Sequence, residues 1–462
     1  MSPPAIAAAL VLPPRRAPAA DRGAPPRRLL GLTPLERSLL EAHKAGAARI
    51  TVLAGPEEHG LAAALTSSRA LRRGGVRPAV APAAGHAGHG ALPADGHVLV
   101  LERDVVFEAA ILGHPRVTAL GPDESLFFVD RRGGGALPHQ SPVKLLTGGD
   151  GERFAALGED LRGAAGAFAG IAVCSPGCAR ALVAAWGGDA VSLPAGELAG
   201  AVAVVDVGER FSLPVTTRPA AREARRLLLA SVRKPTDGFV SRHFNRPVSL
   251  TLSRLFIRVG ATPNAISAGG LALGLAGAWL VARGGYGSAL LGAFLFQLAS
   301  VVDGSDGEVA KLTHNSSPNG SWIDTACDQI ASLAFFAALP VGAYRTSGRA
   351  GYLVLGATTL IASAALYALM IRHVRRFGAH GSMVQILHDF ASAARAPGAL
   401  GRAAGIVSGL SFAVRRDFFA MAFLVLALVG GLGVAVWTIG VVTPAAVLFL
   451  AWFSRRFAAD RS

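Results

Sequence analysis

The sequence predicts two folds in one chain, an N-terminal α/β domain followed by an all-α transmembrane domain of six helices. Three observations carry this. Up to about residue 235, short apolar runs alternate with charged and Gly/Pro-rich stretches, as in a soluble domain. After Pro263 the pattern changes to apolar stretches of ~20 residues, the length that crosses ~30 Å of hydrocarbon. The scarce acids of the second half are also gathered together: of the eight between Ser241 and the C-terminus, five lie between Asp303 and Asp328.

Taken in order, residues 1–35 are Pro/Ala/Arg-rich and are expected to be disordered. Residues 36–230 form the α/β domain. Its strand-like runs are ARITVLAG (48–55), HVLVLE (97–102), ESLFFVD (124–130), AGIAVCS (169–175) and AVAVVDV (201–207). Helical patterns lie between or after them, at 61–75 and in the Arg-rich stretch 219–234. Strands alternating with helices argue for a mostly parallel sheet. Residues 231–262 are basic with interspersed Phe, Val, Leu and Ile, the pattern of an amphipathic helix lying in a membrane interface. The transmembrane domain, 263–456, reads as spans at roughly 264–283, 287–303, 323–344, 350–371, 418–433 and 435–453.

The loops orient these spans. With the N-terminal domain in the cytosol, the outer loops carry only Arg283, Arg345 and Arg349, whereas the inner stretch from Arg372 to Arg416 holds seven arginines. The excess of basic residues inside places both termini, and the acidic window between spans two and three, at the cytosolic face. The same placement explains the net charge of +15 through membrane topology and anionic lipid, so nucleic acid is not expected as a partner. Cys174, Cys178 and Cys327 are too few and too dispersed for a disulfide framework, and no second pair completes Cys174 and Cys178 as a metal site. The N-terminus has no basic n-region and only a short apolar run, so no signal peptide is read.

The window VVDGSDGEVAKLTHNSSPNGSWIDTACDQI carries the chemistry. A carboxylate near membrane depth is costly and must be neutralised. Asp303 and Asp306 are spaced i, i+3, and Asp324 and Asp328 i, i+4, so on helices each pair shares a face. THNSSPNGS between them is loop chemistry. Two facing carboxylate pairs make an oxygen-only site suited to Mg²⁺ or Mn²⁺. Two such ions typically grip a diphosphate and support in-line displacement at phosphorus. The alternatives for the cluster are a structural cation site or a solvated charged turn.

Written out, the spacing is Asp303-x2-Asp306-Gly307-x2-Ala310-Lys311-x8-Gly320-x3-Asp324-x3-Asp328. This resembles the signature of the CDP-alcohol phosphatidyltransferase family, integral membrane enzymes of six helices. The resemblance implies that Asp303, Asp306 and Asp324 are metal ligands, with Asp328 helping to bind a second ion or acting as general base on the acceptor hydroxyl. Gly307, Ala310 and Gly320 would be small so that cytidine and diphosphate approach the backbone, and Lys311 would face the donor phosphates. The family usually has Arg at the position of Lys311; Lys keeps the charge but loses the bidentate fork. Thr262-Pro263-Asn264 looks like the start of the first span in relatives. Arg372, Arg375 and Arg376, at the inner end of the fourth span, are either an acceptor-phosphate site or simple positive-inside anchors. Arg415-Arg416-Asp417 is equally ambiguous.

The combination with a soluble α/β domain resembles the bifunctional enzymes that make di-inositol phosphates, in which a nucleotidyltransferase domain precedes the membrane module. Asp104 stands where that resemblance implies a metal-binding acid; Asp104 and Asp206 are either remnants of such a site or, the favoured reading, surface turn acids. A basic, Gly-rich phosphate loop is expected after the first strand, yet ARITVLAG runs into PEEHGLAAAL. On this reading the domain is nucleotidyltransferase-like but degenerate. The function expected is a divalent-metal-dependent CDP-alcohol phosphotransferase of the cell membrane. It would move a substituted phosphate from CDP-inositol or CDP-diacylglycerol to an alcohol acceptor and release CMP. The resemblance leaves room for a homodimer. The rival readings are a non-catalytic membrane-anchored scaffold and an ion-coupled transporter. Against the transporter, the acids sit at one face and no inverted repeat is apparent.

Overall fold

The protein is described here from a computed structural model, covering residues 6–13, 28–55, 57–83, 92–93, 95–132, 143–159, 161–187, 190–198, 200–233, 237–377, 405 and 415–459. The chain divides into two compact units, residues 1–232 with 311–315, and residues 233–310 with 316–462.

The first unit is a mixed sheet with helices. Its strands are β1 (Ile6–Leu12), β2 (Arg49–Ala54), β3 (Ala79–Pro82), β4 (His97–Glu102), β5 (Val105–Phe107), β6 (Ser125–Asp130), β7 (Lys144–Thr147), β8 (Phe154–Gly158), β9 (Gly166–Cys174), β10 (Ser192–Pro194), β11 (Val202–Asp206) and β12 (Ser212–Pro214). The helices are α1 (Pro34–Lys44), α2 (Leu61–Ser67), α3 (Arg69–Arg73), α4 (Pro115–Thr118), α5 (Pro176–Trp186) and α6 (Arg218–Ser231). Among the described residues the main sheet runs β10-β8-β7-β9-β4-β1-β2-β3, with β6 paired to β9 and β11, while β5 and β12 form a separate ribbon.

Two expectations are corrected. Residues 6–12 do not belong to a disordered tail: they form β1, which lies between β2 and β4 and pairs in parallel with both. Thr33 then caps α1 with a reciprocal capping box to Glu36. The sheet is also mixed rather than mostly parallel, because β9 runs antiparallel to β4, β6 and β7. The nine residues of β9 are nearly all buried, so apolar continuity marks it as a central strand without revealing its direction. Gly170 takes φ +72 within β9, and a Cβ there would stand 2.8 Å from Val105 Cγ2, so only glycine fits where the ribbon crosses the strand. Two apolar layers cover the sheet faces: one holds Leu39, Val52 and Phe128, the other Phe127, Phe168 and Trp186.

The second unit is helical: α7 (Arg246–Arg258), α8 (Pro263–Arg283), α9 (Tyr286–Leu312), α10 (Pro318–Ser347), α11 (Gly351–Phe377), α12 (Arg416–Leu428) and α13 (Leu432–Ala459). The described parts of α8, α9, α10, α11 and α13 are long and apolar enough to cross a membrane. The fifth expected span corresponds to α12, of which 13 residues are helical, and Gly430 at φ +70 makes the turn into α13. Helices α9 and α10 run well beyond the apolar cores expected at 287–303 and 323–344; the added turns of α9 carry Asp306 and Glu308, while Asp303, Asp324 and Asp328 lie at the ends of the expected cores nearest the connection.

Close packing among α8, α9 and α10 depends on missing side chains. A Cβ on Gly277 would meet Gly292 O at 2.7 Å, and one on Gly342 would meet Val281 O at 2.1 Å. Such close backbone approach is what supplies van der Waals contact between the helices. Phe296 and Phe335 stack below the acids with centroids 3.9 Å apart.

Candidate active site

The acids are brought together by two helices and a tight connection. Helix α9 carries Asp303 and Asp306 in its last turns and ends at Leu312; α10 begins at Pro318, capped by Ser317 through Gly320 N–H, and carries Asp324 and Asp328. Pro at the first helical position is pre-organised for that start. The ligand oxygens of Asp303, Asp324 and Asp328 all lie within 4.8 Å of one another. Asp306 stands beside this group rather than in it. It is 5% exposed, accepts a hydrogen bond from Ser267 Oγ of α8, and has Asp324 and Asp303 as its carboxylate neighbours.

Arg416, the first residue of α12, reaches the cluster. Its Nη1 donates to Asp328 Oδ1 and, at 3.2 Å, to Asp303 Oδ1. The guanidinium lies over the Phe296 ring, 5.6 Å from its centroid. It therefore stands where cationic charge is needed, and the donor set around it is all carboxylate oxygen. Such a set fits Mg²⁺ or Mn²⁺, with no His or Cys in the group to favour zinc.

The other predicted residues distribute as follows. Gly307 lies in α9 with no atom within 4 Å of a built Cβ, so packing does not demand glycine there. Gly320 differs: a Cβ would stand 3.0 Å from Ser317 Oγ and 3.2 Å from Asn264 Oδ1. Part of the need for smallness at Gly320 is thus internal, because the start of α8 approaches the start of α10. Ala310 is half-buried and Lys311 exposed at the end of α9. Arg372 is exposed near the end of α11; Arg375 and Arg376 belong to the same helix, but their side chains lie outside the described residues.

Three contributors were not assigned from sequence. Arg416 had a signal, an Arg-Arg-Asp opening a span, but its direction was open. Ser267 had none beyond its distance of one turn from Pro263. Glu308 was counted among the five acids without a role. It is buried at 2% and accepts from Arg246 Nη1 at 2.6 Å and from Ser249 and Ser253 Oγ at 2.7 Å. Burial pulls the Arg246 guanidinium down, and hydrogen bonds to Asp237 and Glu308 outweigh this, leaving its pKa above the usual arginine value.

In the first unit, Asp104 follows β4 at φ +68. Burial pushes its carboxyl up, Arg103 opposes this and Glu58 adds to it. Asp206 ends β11 and is exposed, accepting from Gly208 N–H at 3.0 Å. Cys174 and Cys178 are both buried free thiols. The phosphate loop is expected after 48–55, but that run is the second strand of the sheet. The first strand is β1, and the sequence after it, PPRRAPAADRGAPPRR, is basic but poor in glycine. Most of that stretch lies outside the described residues.

The family profile described as CDP-alcohol phosphatidyltransferase matches residues 260–432. The chain is 32% identical over 239 residues to a "Bifunctional IPC transferase and DIPP synthase" of Rubrobacter xylanophilus, covering 50% of this chain and 53% of that one. It is 36% identical over 135 residues to the protein of the same description from Aquifex aeolicus, covering 29% and 30%. The match thus spans about half the length of the first relative. Among solved structures, the inositol-1-phosphate CTP transferase from T. maritima aligns with a TM-score of 0.37 and 13% identity, over 49% of this chain and 97% of that one. The C-terminal part of the chain is a CDP-alcohol phosphatidyltransferase domain.

Proposed function

We propose that the chain is a multi-pass membrane phosphotransferase that takes a CDP-linked donor and an alcohol acceptor and releases CMP. The observation that carries this is the convergence of Asp303, Asp324 and Asp328 from two helices onto one point, with Asp306 beside them. With all four carboxylates ionised and Arg416 cationic, the site carries a net charge of about −3. One divalent ion leaves it near −1 and two bring it near +1, and only the second balance attracts a diphosphate. We therefore assign two ions, Mg²⁺ or Mn²⁺, to Asp303, Asp306, Asp324 and Asp328. When bound, they would neutralise the charge developing on the CMP leaving group.

The chain's own residues then divide the work. Asp328 accepts the proton of the attacking hydroxyl, which must leave as the new P–O bond forms. Gly307 lets the donor lie against α9, consistent with the open space around it. Ala310, one turn on from Gly307, keeps the same wall low, Gly320 does so on α10, and Lys311 faces the donor phosphates. Arg416 is suited to an acceptor phosphate, as a fork-shaped cation beside the general base; Arg372, Arg375 and Arg376 are a second, more distant candidate set. The arginine distribution favours a cytosolic site and termini.

For the donor, the relatives named as DIPP synthases favour CDP-inositol over CDP-diacylglycerol. The test is CMP release by the purified full chain with Mg²⁺ or Mn²⁺. Each donor would be offered inositol, inositol phosphate, glycerol phosphate and serine, beside Asp328→Asn. Metal-dependent CMP lost in the variant supports the reading, and none from folded protein with any pair sinks it. An added arm with CTP and inositol 1-phosphate, read as pyrophosphate, reports whether the N-terminal domain makes its own donor; pyrophosphate release would overturn its reading as degenerate.

A further inference from the structure

Helix α7 is inside-out for a soluble helix. Asn245, Arg246, Ser249, Leu250 and Ser253 are buried, whereas Phe244, Val248, Leu255 and Val259 are exposed. The apolar face suits a membrane interface, but the buried polar face needs its own reason, since buried polar groups cost free energy unless paired. It is fully engaged. Arg246 grips Asp237 with Nε and Nη2 at 2.8 and 2.9 Å and Glu308 with Nη1 at 2.6 Å. Ser249 and Ser253 both donate to Glu308. Ser305 Oγ donates to Ser249 O at 3.2 Å, and Gln297 Nε2 to Asn245 Oδ1 at 2.8 Å.

Every α9 partner in this set, Gln297, Ser305 and Glu308, lies on the helix that carries Asp303 and Asp306. Just before α7, the backbone N–H of Ser241 donates to Asp417 Oδ2 at 3.0 Å. Asp417 adjoins Arg416, whose guanidinium meets Asp303 and Asp328. One short segment therefore holds α9 and the start of α12, two of the helices whose side chains meet at the site, at contacts that belong to neither metal nor substrate.

We infer that Asp237, Arg246 and Glu308 form a positioning clamp that sets the register of Asp303 and Asp306 in α9, and that the clamp is extended to Arg416 through Asp417. The inference rests on the functional reading above, since it concerns the geometry of that same site. Groups standing behind metal-binding carboxylates typically matter 10–100-fold in metal affinity or activity, and a misplacement of about 1 Å at a reacting centre costs on the order of 10²-fold.

The test uses the full chain in detergent, with Arg246→Lys, Asp237→Asn and their double variant, and with exposed Arg258→Ala as control. Arg246→Lys keeps the charge but loses the fork. Helical content and elution volume report folding, and Mn²⁺ binding by paramagnetic resonance reports the site independently of turnover. We expect roughly tenfold or greater loss of kcat, weaker Mn²⁺ binding by a similar factor, and donor KM within about threefold of wild type. The double variant should be no worse than the worse single, because the residues act as one device. Folded Arg246→Lys and Asp237→Asn with unchanged Mn²⁺ binding and unchanged kcat per folded molecule, melting earlier only, would overturn the clamp. Should Arg246→Lys not fold, Ser253→Ala, which removes one hydrogen bond to Glu308, decides by the same Mn²⁺ readout. Wild type binding Mn²⁺ but releasing no CMP with any donor would instead count against the functional reading and leave the Mn²⁺ arm to judge the clamp.

Discussion

Arg416 and Asp328 stand 88 residues apart in the chain and share a hydrogen bond in the fold, with the same guanidinium nitrogen also reaching Asp303. This joins α12 to both acid-bearing helices. Arg416→Ala should lower turnover with phosphorylated acceptors by at least ~10-fold, with Arg416→Lys intermediate, since a hydrogen bond to a charged group contributes ~1.5–3 kcal/mol. Acceptor saturation curves check this; an unaltered acceptor KM and kcat would remove Arg416 from the site.

Asp328→Asn preserves shape and removes the proton acceptor. CMP release should fall ~10²–10⁴-fold, the usual worth of a positioned general base. Initial rates at saturating donor and metal measure it, with helical content confirming the fold.

Chelation should abolish CMP release and leave helicity intact, and Mg²⁺ or Mn²⁺ should restore it. A bound ion also stabilises: at 100 times Kd the gain is ~2.7 kcal/mol. Melting in detergent should therefore rise with Mn²⁺, and Asp303→Ala should flatten that rise.

Gly307 and Gly320 should separate by mechanism. Gly307→Ala meets no protein atom within 4 Å and replaces a helical glycine, so stability should hold or improve by up to ~1 kcal/mol. Donor KM should nonetheless rise, because the new methyl projects where donor is proposed to lie. Gly320→Ala presses on Ser317 and Asn264 and should lower both stability and turnover. Paired thermal melts and donor titrations distinguish the two.

Arg103 is 5% exposed and holds Glu58 through two nitrogens at 2.6 and 2.7 Å while donating to Leu53 O at 3.2 Å. Arg103→Met leaves Glu58 without that partner. Buried pairs broken this way cost ~3–5 kcal/mol, and Glu58 is a third exposed, so ~2 kcal/mol is expected here. Thermal unfolding of the full chain, followed through its strand signal, checks it.

Much of the site was legible because its code is local. The i, i+3 and i, i+4 spacings place carboxylates on one helical face whatever surrounds them, and Pro318 with Gly320 marks the connection between α9 and α10. The length of the apolar runs likewise announced helices long and apolar enough to cross a membrane, since hydrocarbon thickness sets that length directly. The fold class of the first unit followed from alternating strand and helix patterns, although β1 was missed. IAAALVL is Ala-rich and bounded by Pro, and reads as low complexity until β2 and β4 pair on its two edges.

The amino-acid sequence alone determined the long helices, five of the strands, the two-part organisation and the acid cluster, because each depends on spacing along the chain. Only tertiary structure decided the direction of β9, the place of β1, the arrival of Arg416 and the buried grip of Arg246 on Glu308. Strand direction and partner choice depend on which distant segments lose solvent together, and neither hydrophobic periodicity nor residue spacing encodes that.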